Sequence, residues 1–366
     1  MLSILIFIVI LGVLIVVHEF GHFIVAKWAG IRVDEFGIGY PPRAFKLFKW
    51  KETIFTFNWI PFGGFVKIFG ENPDEESMSG PESSRSFVHK PKLHQAAVIV
   101  AGVTFNIIFA WLLISIGFMI GLPTSVSNTR NQDRVENVKL IITNIHPESP
   151  AQAAGLKVGD TVTALSARGH NLDKLEPEEV VNFIGAHTDT NISLSYQRGN
   201  ESGTFSLEPK EGIVPDKKAI GISTDSIGTL KLPLHEALWQ GAKTTWNLTQ
   251  ATAVGIAVFL YDAVRGQSDL TQVTGPVGIV GLVGDASKLG FIYILSFAAF
   301  ISINLAVINL IPFPALDGGR LLMIIIESIK KSPINPKIAN TVNAVGFVLL
   351  IILMIVVTAH DIVRLF

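Results

Sequence analysis

The chain has no cysteine, which removes two kinds of chemistry at once. Disulfide staples and thiolate metal ligation are both excluded, so any metal must be held by His and carboxylate. Charge is also scarce. Of the 366 residues 16% are charged and 49% hydrophobic, and the net charge of −1 offers no bulk field that would draw the protein to nucleic acid. Residues 2–17 carry no charge at all. With a mean hydropathy of +0.47, this is the balance of a membrane protein that has a sizeable water-exposed part.

Four segments are apolar enough to cross a bilayer, which takes about 20 residues of helix. They are residues 1–29, 94–121, 290–328 and 341–363. The first has no basic stretch before it and no small-residue cleavage site after it, so it reads as a membrane helix and not as a cleaved leader. The loop over 30–93 holds Arg32, Arg43, Lys46, Lys49, Lys51, Lys67, Arg85, Lys90 and Lys92, and the short loop before 341 holds Lys330, Lys331 and Lys337. An excess of basic residues marks cytoplasmic loops. The N-terminus, the long segment 122–288 and the C-terminus are then extracytoplasmic.

At the end of the first apolar run stands His18-Glu19-Phe20-Gly21-His22. On a helix the two histidines are one turn apart on one face, a spacing that holds a single metal ion, and the carboxylate between them can take a proton from water there. Ionisable groups inside a bilayer are costly, so such a cluster points to function. Seventeen residues at about 1.5 Å rise put His18 about 25 Å from the outer surface, in the cytoplasmic half of the bilayer.

Catalytic zinc usually has three protein ligands and one open position. Asp317 is the best third candidate. It lies in Asn309-Leu310-Ile311-Pro312-Phe313-Pro314-Ala315-Leu316-Asp317-Gly318-Gly319-Arg320, at a depth matching that of the histidines. Pro312 and Pro314 prevent a regular helix there, and Gly318-Gly319 loosens it further. Irregular backbone at membrane depth is tolerated only where it is buried in protein or lines a cavity. His94 begins the second span, and His360 and Asp361 end the fourth at the wrong depth.

HEFGH on the first span with NLIPFPALDGGR on the third resembles the site-2 protease family of intramembrane metallopeptidases, and more narrowly its bacterial regulator of sigma-E protease group. PFGGFVKIFGENPDEE (61–76), AGVTFN (101–106) and GPVGI (275–279) add to the likeness, which covers nearly the whole sequence. The resemblance implies one Zn2+ per protein on His18, His22 and Asp317, with Glu19 as general base. It implies that Asn309 contacts the substrate backbone, with Pro312 and Pro314 as further substrate-binding residues at the break. Asn304 is either a second substrate contact or a helix–helix hydrogen bond. The group often carries two tandem PDZ domains, whereas the space here suits one, over residues 135–225. Within it IITNIHPESPAQAAGLKVGDTVTAL resembles a PDZ domain, and Ser149 suits a helix N-cap, Pro150 its first turn and Gly155 its end.

Residues 54–69 read as two strands around a turn at Pro61 and Gly63-Gly64. They form either a soluble cytoplasmic hairpin or, as the resemblance implies, one that dips toward the metal. Gly64, Phe65, Val66 and Lys67 are the candidate edge for an unwound substrate strand. Residues 70–85 read as an exposed linker. Residues 233–266 read as an amphipathic helix on the outer membrane surface, with a fifth span as the competing view.

The expected architecture is an α-helical polytopic membrane protein with four transmembrane helices, a membrane-associated β-hairpin and one extracytoplasmic α/β PDZ domain. The expected function is intramembrane endoproteolysis in a bacterial inner membrane. The resemblance implies single-pass membrane protein substrates, an anti-sigma factor or signal-peptide remnants, with exposed polypeptide C-termini as partners of the PDZ domain. The alternatives are a PDZ-bearing receptor or scaffold with a structural metal, and more remotely a metal transporter. Glu19 separates them, because a structural site needs the histidines but not the carboxylate.

Overall fold

The computed structural model describes residues 2–72, 74–127, 132–199, 201–214, 217–267 and 273–363. The protein begins with α1 (Leu2–Trp28), β1 (Val33–Trp50), β2 (Thr53–Ile68), α2 (Glu75–Ser79) and α3 (Lys92–Ile120). A strand-rich stretch follows: β3 (Leu122–Ser125), β4 (Val135–Ile145), α4 (Pro150–Ala154), β5 (Thr161–Ala167), β6 (His170–Asn171), α5 (Pro177–Ala186), β7 (Ile192–Arg198), β8 (Glu201–Leu207), β9 (Lys210–Val214), β10 (Lys217–Ala219) and β11 (Ile222–Leu230). Helices complete the fold: α6 (Leu234–Val264), α7 (Pro276–Leu289), α8 (Phe291–Asn309), α9 (Asp317–Lys330) and α10 (Pro336–Val363). Among the described residues α1, α3, α8 and α10 are long and apolar enough to cross a membrane. With β elements beside them, they make a polytopic membrane protein. Their runs of Ile and Val are helical because lipid offers no partner for a backbone N–H or C=O, so each must be satisfied within its own segment.

The protein divides into two compact units. One comprises Met1–Ile116 with Leu238–Phe366, the other Gly117–Ala237. In the first, Phe23, Ala26, Val33, Phe36, Val66, Val98 and Ile324 share one buried cluster, so α1, the β1–β2 sheet, α3 and α9 meet there. A second cluster of Ile10, Leu14 and Val283 packs with Phe109, Ile294 and Phe297, joining α1 to α7, α8 and α3. α7 was not evident from sequence. Its first turn is held by Asp361 of α10, which accepts hydrogen bonds from Gly275 N at 3.0 Å and Gly278 N at 2.8 Å.

β1 and β2 are built differently from the expected strand pair. The backbone reverses at Lys51-Glu52, where Lys51 takes a φ of 53°, and 61–64 lies within β2. The partner is β1, whose Gly37, Gly39, Pro41 and Pro42 interrupt the alternation that would have marked it as a strand. Glu35–Ile38 pairs with Gly64–Lys67 on one side (Phe36 with Val66, Ile38 with Gly64) and with Ile54–Phe57 on the other (Phe36 with Phe55, Ile38 with Phe57). Gly64–Lys67 therefore has a strand partner on one side only among the described residues. The stretch after β2 is also less loose than a linker. Asp74 caps α2 in a reciprocal capping box, and Arg32 meets Asp34, Glu76 and Glu82.

The second unit is an antiparallel sheet in the order β3-β11-β4-β5-β7-β8, with β6 on β5. Its core gathers Ile142, Leu165, Ile192 and Leu194, all 0% exposed, with Val180 and Ile184 of α5 laid on it. Each such side chain contributes about 1.5–3 kcal/mol by leaving water. The Ser149 side chain accepts from Gln152 N to cap α4, Pro150 opens the helix and Gly155 closes it at φ 87°. Asp160, 1% exposed, takes two 2.6 Å hydrogen bonds from the Arg198 guanidinium.

Candidate metal centre

His18 and His22 are both 7% exposed on the α1 face that meets α3. α3 comes this close because it presents a glycine to them. A Cβ on Gly102 would stand 2.4 Å from His22 Nε2 and 2.7 Å from His18 Cε1. One turn before Gly102, the carbonyl of Val98 accepts the His22 Nδ1–H at 2.8 Å, which leaves Nε2 with its lone pair facing His18 and Asp317.

Asp317 arrives from the break between α8 and α9. The backbone turns tightly there: Phe313 N bonds Ile311 O, Ala315 takes φ 71°, and Gly319 N bonds Leu316 O. Side chains at Gly318 and Gly319 would strike backbone carbonyl oxygens at 2.2 Å, so only glycine fits this reversal. Arg320 ties the turn down. Its guanidinium donates to Glu71 Oε1 at 2.5 Å and to the Glu71 carbonyl, and lies over the Phe87 ring. Lys92 holds the other end of α9 through Glu327 at 2.5 Å.

The result is a convergence of three acceptor atoms. Asp317 Oδ2 lies 3.1 Å from His18 Nε2 and 3.4 Å from His22 Nε2, and the two Nε2 atoms are 3.2 Å apart. Lone pairs aimed at one point repel unless a cation lies between them, and Asp317 Oδ2 is buried with no hydrogen-bond partner. Tetrahedral coordination at bond lengths of about 2.0–2.1 Å separates ligand atoms by about 3.3 Å, so this set fits such an ion. Two imidazoles and one carboxylate suit zinc better than a hard alkaline-earth ion. It is the one cluster of three such side chains found among the described residues.

Glu19 follows His18 on the same helix and is half-buried. Its Cγ lies 3.5 Å from where a Cβ on Gly64 would stand, so the open edge of β2 runs directly past it. Of the other candidate edge residues, Phe65 covers Gly37, Val66 is 8% exposed in the core and Lys67 faces out. Val66 thus has only its backbone to offer a substrate. Asn309 is the last residue of α8, and Pro312 is exposed just beyond it. Pro314 packs on Gly346 of α10. Asn304 donates to Phe300 O of its own helix at 2.8 Å and, among the described residues, bonds no other helix. Sequence reasoning missed Gly102, Glu71 and Arg320. AGVTFN, which contains Gly102, was the available signal for the first, and PFGGFVKIFGENPDEE and NLIPFPALDGGR hold the other two.

Comparison with known proteins agrees with this geometry. The model of Peptidase family M50 matches residues 6–353. A putative zinc metalloprotease of Clostridium perfringens is 36% identical over 96% of this protein and 95% of its own length. A second, from Clostridium acetobutylicum, is 32% identical over 99% and 97%. The regulator of sigma-W protease RasP of Bacillus subtilis is 29% identical over 100% and 99%. The protein belongs to peptidase family M50, and it is a metalloendopeptidase.

Proposed function

We propose that the protein is a zinc endopeptidase that cuts single-pass membrane proteins within their transmembrane segments. The observation that carries this reading is the placement of a three-acceptor cluster, a carboxylate and an open strand edge together on apolar helices. His18, His22 and Asp317 hold the ion. When bound, zinc acidifies water and polarises a peptide carbonyl. Glu19 accepts the proton of the attacking water and returns it to the departing amine. A peptide bond in a helix is hydrogen-bonded and shielded, so the substrate must unwind, and its freed N–H and C=O groups need partners in lipid. The open edge of Gly64–Lys67 supplies them by strand addition, and Asn309 orients the strand from the other side.

The topology follows from the basic loops, with both termini and residues 122–288 outside and the metal centre toward the cytoplasm of a bacterial inner membrane. Exposed Phe45, Phe48, Trp50 and Trp59 with Lys46 and Lys49 support a sheet that dips into the membrane surface. Exposed Trp239, Trp246 and Tyr261 on α6 support an interfacial helix. Residues 135–225 form a single PDZ domain, whose groove runs between α5 (Val181, Gly185) and Ala219–Ile222. It admits extended polypeptide ends or screens out bulky ones. The Bacillus relative is named for regulating sigma-W, in keeping with an anti-sigma factor as substrate here, and signal-peptide remnants share the same single-span chemistry.

Glu19→Gln is the test. The variant keeps one zinc per protein and loses cleavage of a single-span substrate by about 10²–10⁴-fold. Cleavage at the wild-type rate would sink the mechanism, and wild-type protein without zinc would sink the site.

A further inference from the structure

Asn106 of α3 is a buried polar side chain that the chemistry above leaves without a task. It is 0% exposed. Its Nδ2 lies 3.3 Å from His18 Nδ1, and its Oδ1 is buried without a hydrogen-bond partner. Its main-chain carbonyl accepts from Ser302 Oγ at 2.8 Å, so α8 fixes this turn of α3 against α1. The oxygen and nitrogen of an amide share one outline, and which of them faces a neighbour follows from the hydrogen bond that neighbour can make.

His18 turns its Nε2 toward Asp317 and His22. An imidazole that gives its Nε2 lone pair to a cation carries its proton on Nδ1, where it is a donor. An amide NH2 facing that N–H would set donor against donor. Either orientation leaves one amide atom without a protein partner, at similar cost, so the choice falls to His18. We propose that Asn106 turns its Oδ1 to His18, accepts the Nδ1–H, and is thereby the positioning residue that fixes this ligand's tautomer and ring plane. The inference rests on His18 being a metal ligand. α3 then serves both histidines, with the Val98 carbonyl for His22 and the Asn106 amide for His18. Only the second of these acceptors can be removed by changing a side chain.

The experiment uses the full-length protein in detergent, with zinc affinity read by chelator competition beside cleavage. Loss of such a partner weakens metal binding by about 10–100-fold, which is the result expected for Asn106→Ala. Asn106→Asp presents only acceptors, so it keeps wild-type affinity within about threefold. Proton–nitrogen NMR of histidine-labelled, zinc-loaded protein gives a reading that a merely structural role would not move. The His18 Nδ1–H, held by Asn106, gives a downfield and slowly exchanging proton resonance in wild type, which moves upfield and exchanges faster in Asn106→Ala. Wild-type zinc affinity in Asn106→Ala, weaker binding in Asn106→Asp than in Asn106→Ala, or a rapidly exchanging His18 Nδ1–H in zinc-loaded wild type each overturns the proposal. If Asn106→Ala does not fold, the Asn106→Asp affinity and the wild-type spectrum decide. His18→Ala separates this from the site itself: unchanged zinc binding there removes the metal reading, whereas dependence on His18 without dependence on Asn106 removes only the positioning role.

Discussion

At the residue scale, the approach of α3 to the histidines depends on one missing methyl. An alanine at 102 would put its Cβ 2.4 Å from His22 Nε2, the atom that faces Asp317 and His18. His22 cannot swing away without breaking the 2.8 Å bond to Val98 O. Overpacking of this kind costs about 1–3 kcal/mol, so Gly102→Ala should weaken zinc binding by about 10–100-fold and cut cleavage by at least as much. Gly12→Ala is the control. It lies on α1 with nothing within 4 Å of the added Cβ, and both readouts should stay at wild type. Zinc content after dialysis against a chelator, measured beside cleavage, checks the pair. HEFGH was legible because its spacing is set by one helix. Asp317 was legible because charge topology and residue rise convert sequence into depth. Gly102 and Asn106 were not, since their work depends on which face α3 turns to α1, and an all-apolar helix carries no periodicity to announce that face.

At the element scale, the reversal joining β1 to β2 is pinned by charge. Glu52 Oε1 accepts from Lys27 Nζ at 2.5 Å and from Arg85 Nη2 at 2.7 Å. The Lys27 hydrogen bond, with Arg85 behind it, holds the pKa of the Glu52 carboxyl down to about 2. An unfolded glutamate titrates near 4.3. A depressed folded value means the contribution is complete above the unfolded pKa and lost as pH falls through the folded one. With solvent screening of a partly exposed group, it amounts to about 1 kcal/mol. The melting temperature of wild type should therefore exceed that of Glu52→Gln at pH 7, and the gap should close between about pH 4.3 and pH 2. A gap that persists undiminished at pH 2 would show that Glu52 acts by packing and not by charge. This part of the fold was poorly legible. Strand alternation is broken in β1 by Gly37, Gly39, Pro41 and Pro42, and the turn residues at 61–64 sit in a bend of β2 while the true reversal uses Lys51 in a left-handed conformation. α7 escaped for a related reason: its N-terminus is held by Asp361, a residue far along the sequence, and not by a local cap.

At the scale of the whole molecule, Gly117–Ala237 is an insertion between two parts of the unit that carries the proposed metal centre. His18, Glu19, His22, Asn106, Asn309 and Asp317 all lie in the other unit, so the chemistry should survive without the insertion. The sheet shows where to cut. Ser125 of β3 pairs directly with Ile227 of β11, so residues 126–226 can be exchanged for an Asn-Gly turn that closes an antiparallel pair. The shortened protein should hold one zinc per molecule and cleave a single-span substrate with short flanks at the wild-type rate. Wild type should reject the same span bearing a folded outer domain by about tenfold or more, since a steric barrier acts by excluding competitors, and the shortened protein should cut it freely. Loss of zinc would mean that the metal centre depends on the insertion for its shape. Continued rejection of the bulky substrate would place the filter elsewhere, on the helices themselves. If turnover of short substrates that end in a free carboxylate falls while zinc is kept, the groove between α5 and Ala219–Ile222 is capturing polypeptide ends, and the insertion delivers substrates instead of screening them.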